Sequence, residues 1–259
     1  MATALIGGLL QQGAKPGDLR VVDVSEPARQ RLQQQFGVRT APAVEGEIAE
    51  DAVLLAVKPQ QMRAVAKDLS ARLSGQLVIS IAAGIRTADL ARWLRGHERI
   101  VRVMPNTPAL IQSGVSGLFA AASVKQADRD SAQSILGAVG GVVWVQSESH
   151  IDAVTAISGS GPAYVFYFIE ALEQAALELG LTARQALELA VQTFVGAAKL
   201  AAGSDEPVAV LRARVTSTAG TTEAALKTME ANGVKRKIVE AVHAAARRSR
   251  ELGDEFGKD

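Results

Sequence analysis

Short, apolar, β-branched runs alternate with helix-period stretches from about residue 19 to residue 145 and then stop, and this alternation constrains the fold more than any other feature of the chain. The runs are LRVVDV (19–24), AVLLAV (52–57), LVISIA (77–82), IVRVM (100–104), GVSGLFA (114–120) and VVWV (142–145). Between them lie PARQRLQQQF, QQMRAVAKDLSARL, TADLARWLRG and KQADRDSAQSILGAV, whose apolar residues recur at three- and four-residue spacing. Continuous apolar strands joined through helices imply a parallel sheet covered on both faces, the doubly wound (Rossmann-like) α/β arrangement.

Beyond about residue 149 the texture changes to long Ala/Leu/Glu-rich stretches, 151–158, 163–179, 183–202, 222–231 and 234–252. Gly180, Gly203 and Gly233 close three of them, Thr182 is placed as an N-cap, and Pro162 suits a first helical turn. The expected organisation is a nucleotide-binding domain over 1–148 followed by an all-helical domain over 149–259.

Composition removes several function classes. The chain of 259 residues has no Cys, which excludes a disulfide framework, Cys-ligated zinc, iron–sulfur clusters and a thiol nucleophile. Its net charge of +1 gives no footprint for nucleic acid, and 2 Trp, 2 Tyr and 6 Phe scattered along it make no stacking platform. No apolar run reaches the roughly 18 residues of a membrane span. MATALIGGLL lacks the basic lead and cleavage site of a secretion signal, so a cytoplasmic protein is expected. His97, His150 and His243 are read as solvated or packing residues, and no metal is expected.

Doubly wound nucleotide-binding domains open with a strand, a Gly-rich turn and a helix whose amides hold a pyrophosphate. Here Ala2, Ala4, Leu5, Ile6, Leu9 and Leu10 already have helical spacing, and the first apolar run is 19–24. The sequence therefore starts inside that helix. A sheet lacking this central strand is expected to leave an unpaired apolar channel between its two neighbours.

Four segments carry chemistry. AVKP (56–59) ends a buried run and pushes Lys58 to extended geometry at the carboxyl edge of the sheet, where such folds bind ligands. MPNTP (104–108) follows another strand and presents Asn106, which could equally serve a turn. SGSGPAY (158–164) lets a backbone approach a ligand or a second helix. VTSTAGTTEAAL (215–226) leads small hydroxyl residues and Gly220 into a helix, and successive free amides there form a nest for a carboxylate or phosphate.

In this order the four segments resemble the pyrroline-5-carboxylate reductase family, over nearly the whole chain. The resemblance implies a Rossmann-like domain followed by a helical dimerisation domain, and reduction of 1-pyrroline-5-carboxylate to L-proline by NADP or NAD in its reduced form. It implies cofactor contacts at Ser25, near the adenosine 2′-phosphate, at Val57, Lys58 and Ala83, and at Asn106 beside the nicotinamide. Glu148, Gly220, Thr221 and Thr222 are implied to bind substrate, with Thr222 as the catalytic residue hydrogen-bonding the ring nitrogen. A homodimer or larger homo-oligomer is implied, and the apolar cluster Tyr164, Phe166, Tyr167 and Phe168 points the same way.

The chain also departs from the family pattern. Thr218 and Ala219 stand where the family commonly has Pro and Gly, so the nest requires Ala219 to adopt a glycine-like backbone. Ala43 replaces an Asn expected before a helix over 45–50. Glu26 beside Ser25 opposes a 2′-phosphate, while Asp23 could accept from a ribose hydroxyl, which leaves NADP and NAD both open. Two other readings remain: a β-hydroxyacid dehydrogenase using Lys199 of GAAK, which needs an Asn where the chain has Gly203, and a non-catalytic helical dimerisation scaffold.

Overall fold

A computed structural model describes residues 1–258, and the chain divides into two compact units, Met1–Ser160 with 245–258, and Gly161–Ala244. The first unit runs α1 (Ala2–Gln11), β1 (Arg20–Val22), α2 (Glu26–Phe36), β2 (Arg39–Ala41), β3 (Ala52–Leu55), α3 (Pro59–Leu69) and β4 (Leu77–Ser80). It continues with α4 (Thr87–Trp93), β5 (Ile100–Met104), β6 (Gly114–Ala120), α5 (Gln126–Gly137), β7 (Gly140–Trp144) and α6 (His150–Val154).

Strands β3 to β7 form one sheet in sequence order, and β1 and β2 form a separate parallel pair. No strand lies between β1 and β3 among the described residues, so each keeps one unpaired edge. The sheet is parallel, as expected, except at β5 and β6, which pair antiparallel. Only a short 3-10 turn, Thr107–Ile111, connects them, and a parallel return needs a crossover of a dozen or more residues. Strand β2 is too short and polar to register as an apolar run. The helix expected over 45–50 is absent, and the chain bends there through Gly46 at φ +67°.

Side chains alternate across the strands and divide the core in two. Ile79, Val101, Val103 and Leu118 pack on one side with Leu5 of α1 and Leu136 of α5. Val78 and Ile100 pack on the other with Met62 of α3, Leu90 and Trp93 of α4, and Phe256. Met62 has no solvent exposure, and burying a side chain of this kind contributes roughly 1.5–3 kcal/mol.

The first unit extends beyond the expected boundary at 148, and the reason is packing. Ile151 and Ala156 are buried, and α6 lies so close to β6 that a Cβ on Gly117 would fall 2.5 Å from Val154 Cγ1. The last stretch of the chain also belongs here, through Phe256 in the core, an Arg86–Asp254 ion pair at 2.6 Å and a Ser249 hydroxyl donating to Asp152 at 2.7 Å.

The second unit is helical: α7 (Gly161–Glu178), α8 (Ala183–Ala202), α9 (Val208–Arg214), α10 (Thr221–Ala231) and the opening turns of α11 (Val234–Phe256). Thr182 caps α8 as its sequence requires. Its hydroxyl accepts from the Gln185 amide at 3.4 Å while Gln185 Oε1 accepts from the Thr182 amide at 3.0 Å. Helix α9, which starts after Pro207, lies outside the stretches read as helical from the sequence. Among the described residues, no helix is long and apolar enough to cross a membrane.

Candidate functional site

In the first unit, β3, β4 and β5 are adjacent and parallel, so their carboxyl ends open onto one edge of the sheet. The segments carrying Val57 and Lys58, Ala83, and Asn106 follow these three ends in order. Lys58 is exposed and precedes α3 with ψ 144°, the extended geometry its proline demands. Gly84, next to Ala83, has φ +73° and is packed so closely that a Cβ there would meet Phe256 at 2.9 Å. Asn106 Oδ1 accepts the Val115 amide at 2.9 Å, which fixes the side chain across the base of the β5–β6 connection. That bond serves the turn and leaves the side-chain NH2 without a protein acceptor among the described residues.

Ser25 follows β1 and caps α2, its hydroxyl accepting from the Ala28 amide at 3.4 Å. The Ser25 amide donates to Asp23 Oδ1 at 2.8 Å, and Arg29 donates to the Asp23 carbonyl at 2.7 Å. One oxygen of Asp23 is therefore engaged inside the turn, and a guanidinium lies on the same turn as Glu26.

The SGSG and MPNTP segments meet at Gly159 and Met104, where a Cβ on Gly159 would fall 2.5 Å from Met104 Cε. A π-helical turn, Thr155–Gly159, ends at this point. The glycine thus lies close to the end of β5, against the terminal methyl of Met104.

Glu148 is more heavily engaged than its sequence context discloses. Its carboxylate accepts the Thr87 amide at 2.7 Å, the Thr87 hydroxyl at 2.7 Å and a guanidinium N–H of Arg102 at 3.0 Å. Arg102 lies on β5 and is 4% exposed. Sequence reasoning missed both partners, and a charged residue inside the otherwise apolar run IVRVM was the signal that could have found one of them.

In the second unit, the turn before α10 contains one left-handed residue. Ala219 adopts φ +57°, the left-handed region usually left to glycine, so its replacement of the expected Gly preserves the backbone path. The Gly220 amide closes the turn onto the Ser217 carbonyl at 3.1 Å, and a Cβ on Gly220 would collide with the Ser217 hydroxyl. The first bond within α10 runs from the Ala224 amide to the Gly220 carbonyl, so the amides of Thr221, Thr222 and Glu223 precede the helical ladder. Such amides favour an anion. Lys199, the residue a hydroxyacid dehydrogenase would use, is exposed in the last turn of α8. Among the described residues no cluster of three or more metal-ligating side chains occurs.

Known proteins match the chain along its length. Residues 148–252 match the family described as pyrroline-5-carboxylate reductase dimerisation, and residues 1–84 match the family described as NADP oxidoreductase, coenzyme F420-dependent. The chain is 44% identical to the pyrroline-5-carboxylate reductase of Pseudomonas aeruginosa, covering 100% of this chain and 95% of the relative. Among solved structures it is similar to the pyrroline-5-carboxylate reductase of Coxiella burnetii, with a TM-score of 0.93, 41% identity and coverage of 97% and 94% of the two chains. The pyrroline carboxylate reductase of Plasmodium falciparum, solved with NADP bound, gives a TM-score of 0.80 and 30% identity over 96% of this chain and 95% of that one.

Proposed function

Because the chain belongs to the pyrroline-5-carboxylate reductase family, we propose that it reduces 1-pyrroline-5-carboxylate to L-proline, the last step of proline biosynthesis, as a cytoplasmic homo-oligomer using NADPH. The observation that carries this reading is the turn at Ala219–Gly220, whose left-handed residue and unbonded helix-start amides suit the carboxylate of a small imino acid.

NADPH, when bound, supplies the hydride. Ser25, Val57, Lys58, Ala83 and Asn106 are the residues proposed to hold it. Their loops fit such a group, since three follow adjacent carboxyl ends of parallel strands and Asn106 retains a donor. Arg29 favours a phosphorylated ribose and offsets the nearby Glu26, which supports NADP over NAD.

Hydride adds to the carbon of the protonated C=N bond, the π pair passes to nitrogen, and the cationic iminium becomes a neutral amine. No side chain has to supply an electron pair, so the protein's work is positioning and electrostatics. The Thr221 and Thr222 amides that follow Gly220 hold the carboxylate, and the Thr222 hydroxyl holds the ring nitrogen. Glu148, the other residue proposed to bind substrate, acts as one group with Thr87 and Arg102, whose side chains both donate to its carboxylate.

Steady-state kinetics on Thr222→Ala test this arrangement. Loss of a hydrogen bond to a charged group corresponds to about 1–3 kcal/mol, or roughly a ten- to hundredfold slower reduction. Binding of NADPH should change little, and Thr222→Ser should keep most activity. Unchanged rate and substrate affinity in Thr222→Ala would reduce the hydroxyl to a bystander of the helix start.

A further inference from the structure

The left-handed Ala219 is held by a residue to which the mechanism above gives no role. Its amide donates to Glu223 Oε2 at 2.7 Å, and Glu223 Oε1 pairs with Lys227 Nζ at 3.2 Å. Glu223 is the third residue of α10, so its carboxylate reaches back over the turn that starts its own helix. A left-handed conformation suits glycine and disfavours alanine, because the Cβ crowds the following carbonyl. Residue 220 has φ −86°, which any residue adopts, so the conformational choice of the turn falls on residue 219, and its amide is tethered by this one carboxylate. The Lys227 ammonium also offsets the negative charge that Glu223 would otherwise set beside the Thr221 and Thr222 amides.

We propose that Glu223 is a positioning residue, which holds Ala219 left-handed through its amide and thereby keeps the Thr221 and Thr222 amides aimed at the substrate carboxylate without touching the substrate. The proposal rests on the carboxylate site described under the proposed function. It explains how a Thr-Ala-Gly turn does the work of one richer in glycine and proline.

The test compares the parent with Glu223→Ala, Glu223→Gln and the double variant Ala219→Gly/Glu223→Ala. Glu223→Ala should raise KM for pyrroline-5-carboxylate about five- to tenfold, the size of one hydrogen bond, with kcat and the KM for NADPH within about twofold. Glu223→Gln keeps an oxygen acceptor and should stay near the parent. The double variant should recover most of the lost KM, because glycine adopts the turn untethered. A Glu223→Ala variant with unchanged KM overturns the proposal. So does a double variant as impaired as the single one, or a parallel rise in both KM values with a lowered Tm, which marks a merely structural residue.

Hydrogen exchange at the Ala219 amide separates this proposal from the functional reading beneath it. A parent that protects this amide yet reduces no pyrroline-5-carboxylate refutes the functional reading. A parent that leaves the amide unprotected refutes the tether.

Discussion

Glu148 and Thr87 are joined twice, through the Thr87 amide at 2.7 Å and its hydroxyl at 2.7 Å, across 61 positions of sequence. Helix α4 has no side-chain cap of its own at Arg86, so Glu148 is its cap from a distance. The same carboxylate neutralises Arg102, whose side chain is 5% exposed. Glu148→Ala removes a cap and strands a buried cation, and it should lower stability by about 3 kcal/mol. Urea denaturation checks this. A loss below about 1 kcal/mol would show that water reaches Arg102 readily.

Asp128 gives the first unit a defined acid response. Hydrogen bonds from Arg99, including Nε to Oδ2 at 2.9 Å, hold its carboxyl below the usual Asp value, against burial, which pushes it up. The Lys125 amide adds to the lowering. A carboxyl lowered by folding stabilises the fold above its unfolded pKa and loses that contribution as pH falls through the folded value. The contribution is therefore complete at pH 7 and begins to fall only below about pH 4, on the way down to the folded value. Asp128→Asn should lower Tm by about 2–4 °C at pH 7, a modest figure because Arg99 is partly exposed, and the gap should narrow toward pH 3. Melting curves across that range decide, and a constant gap refutes the assignment.

Gly117 allows α6 to lie against β6, with both Cγ atoms of Val154 inside the space a Cβ would need. The obstacle is a β-branched side chain with one preferred rotamer in a helix, so it cannot swing aside. Gly117→Ala should cost about 1–3 kcal/mol from overpacking. Pairing it with Val154→Ala should recover part of the loss, and a double variant no better than the single one would place the strain elsewhere.

Phe166 and Tyr167 are 61% and 71% exposed on α7, and Leu200 is 71% exposed on α8, within the region that matches the dimerisation family. Apolar surface of this kind marks a protein–protein contact, and a second copy is its expected occupant. Light scattering at micromolar concentration should give a dimer or a larger multiple, and Phe166→Glu with Tyr167→Glu should shift it toward monomer. A monomeric parent would show that these side chains stay in water.

What was legible in the sequence follows from the range of the signal. Strands β3 to β6 announced themselves because buried residues such as Leu77–Ser80 form unbroken runs, and α8 because Thr182, Gln185 and Gly203 mark its ends. Strand β2 did not, since Arg39–Ala41 is a polar tripeptide held by its neighbour β1. The loops after β3, β4 and β5 were legible because each follows its strand directly. The Glu148–Arg102 pair was not, because 46 residues separate its members and no local pattern links them. That Ala219 takes a left-handed conformation was posed by its sequence context and answered only by its tether to Glu223.

The first unit takes its residues from both ends of the chain, with Phe256 in the same cluster as Ile85 and Leu90 and Asp254 paired to Arg86. On a ribosome Arg86 and Asp254 are made 168 residues apart. The sheet can assemble early, but the face of Ile85 and Leu90 must wait for the final turns of α11, while Gly161–Ala244 is synthesised whole in the interval. The face of Ile85 and Leu90 thus stays unsealed while the whole helical unit is made, and only the last turns of α11 close it.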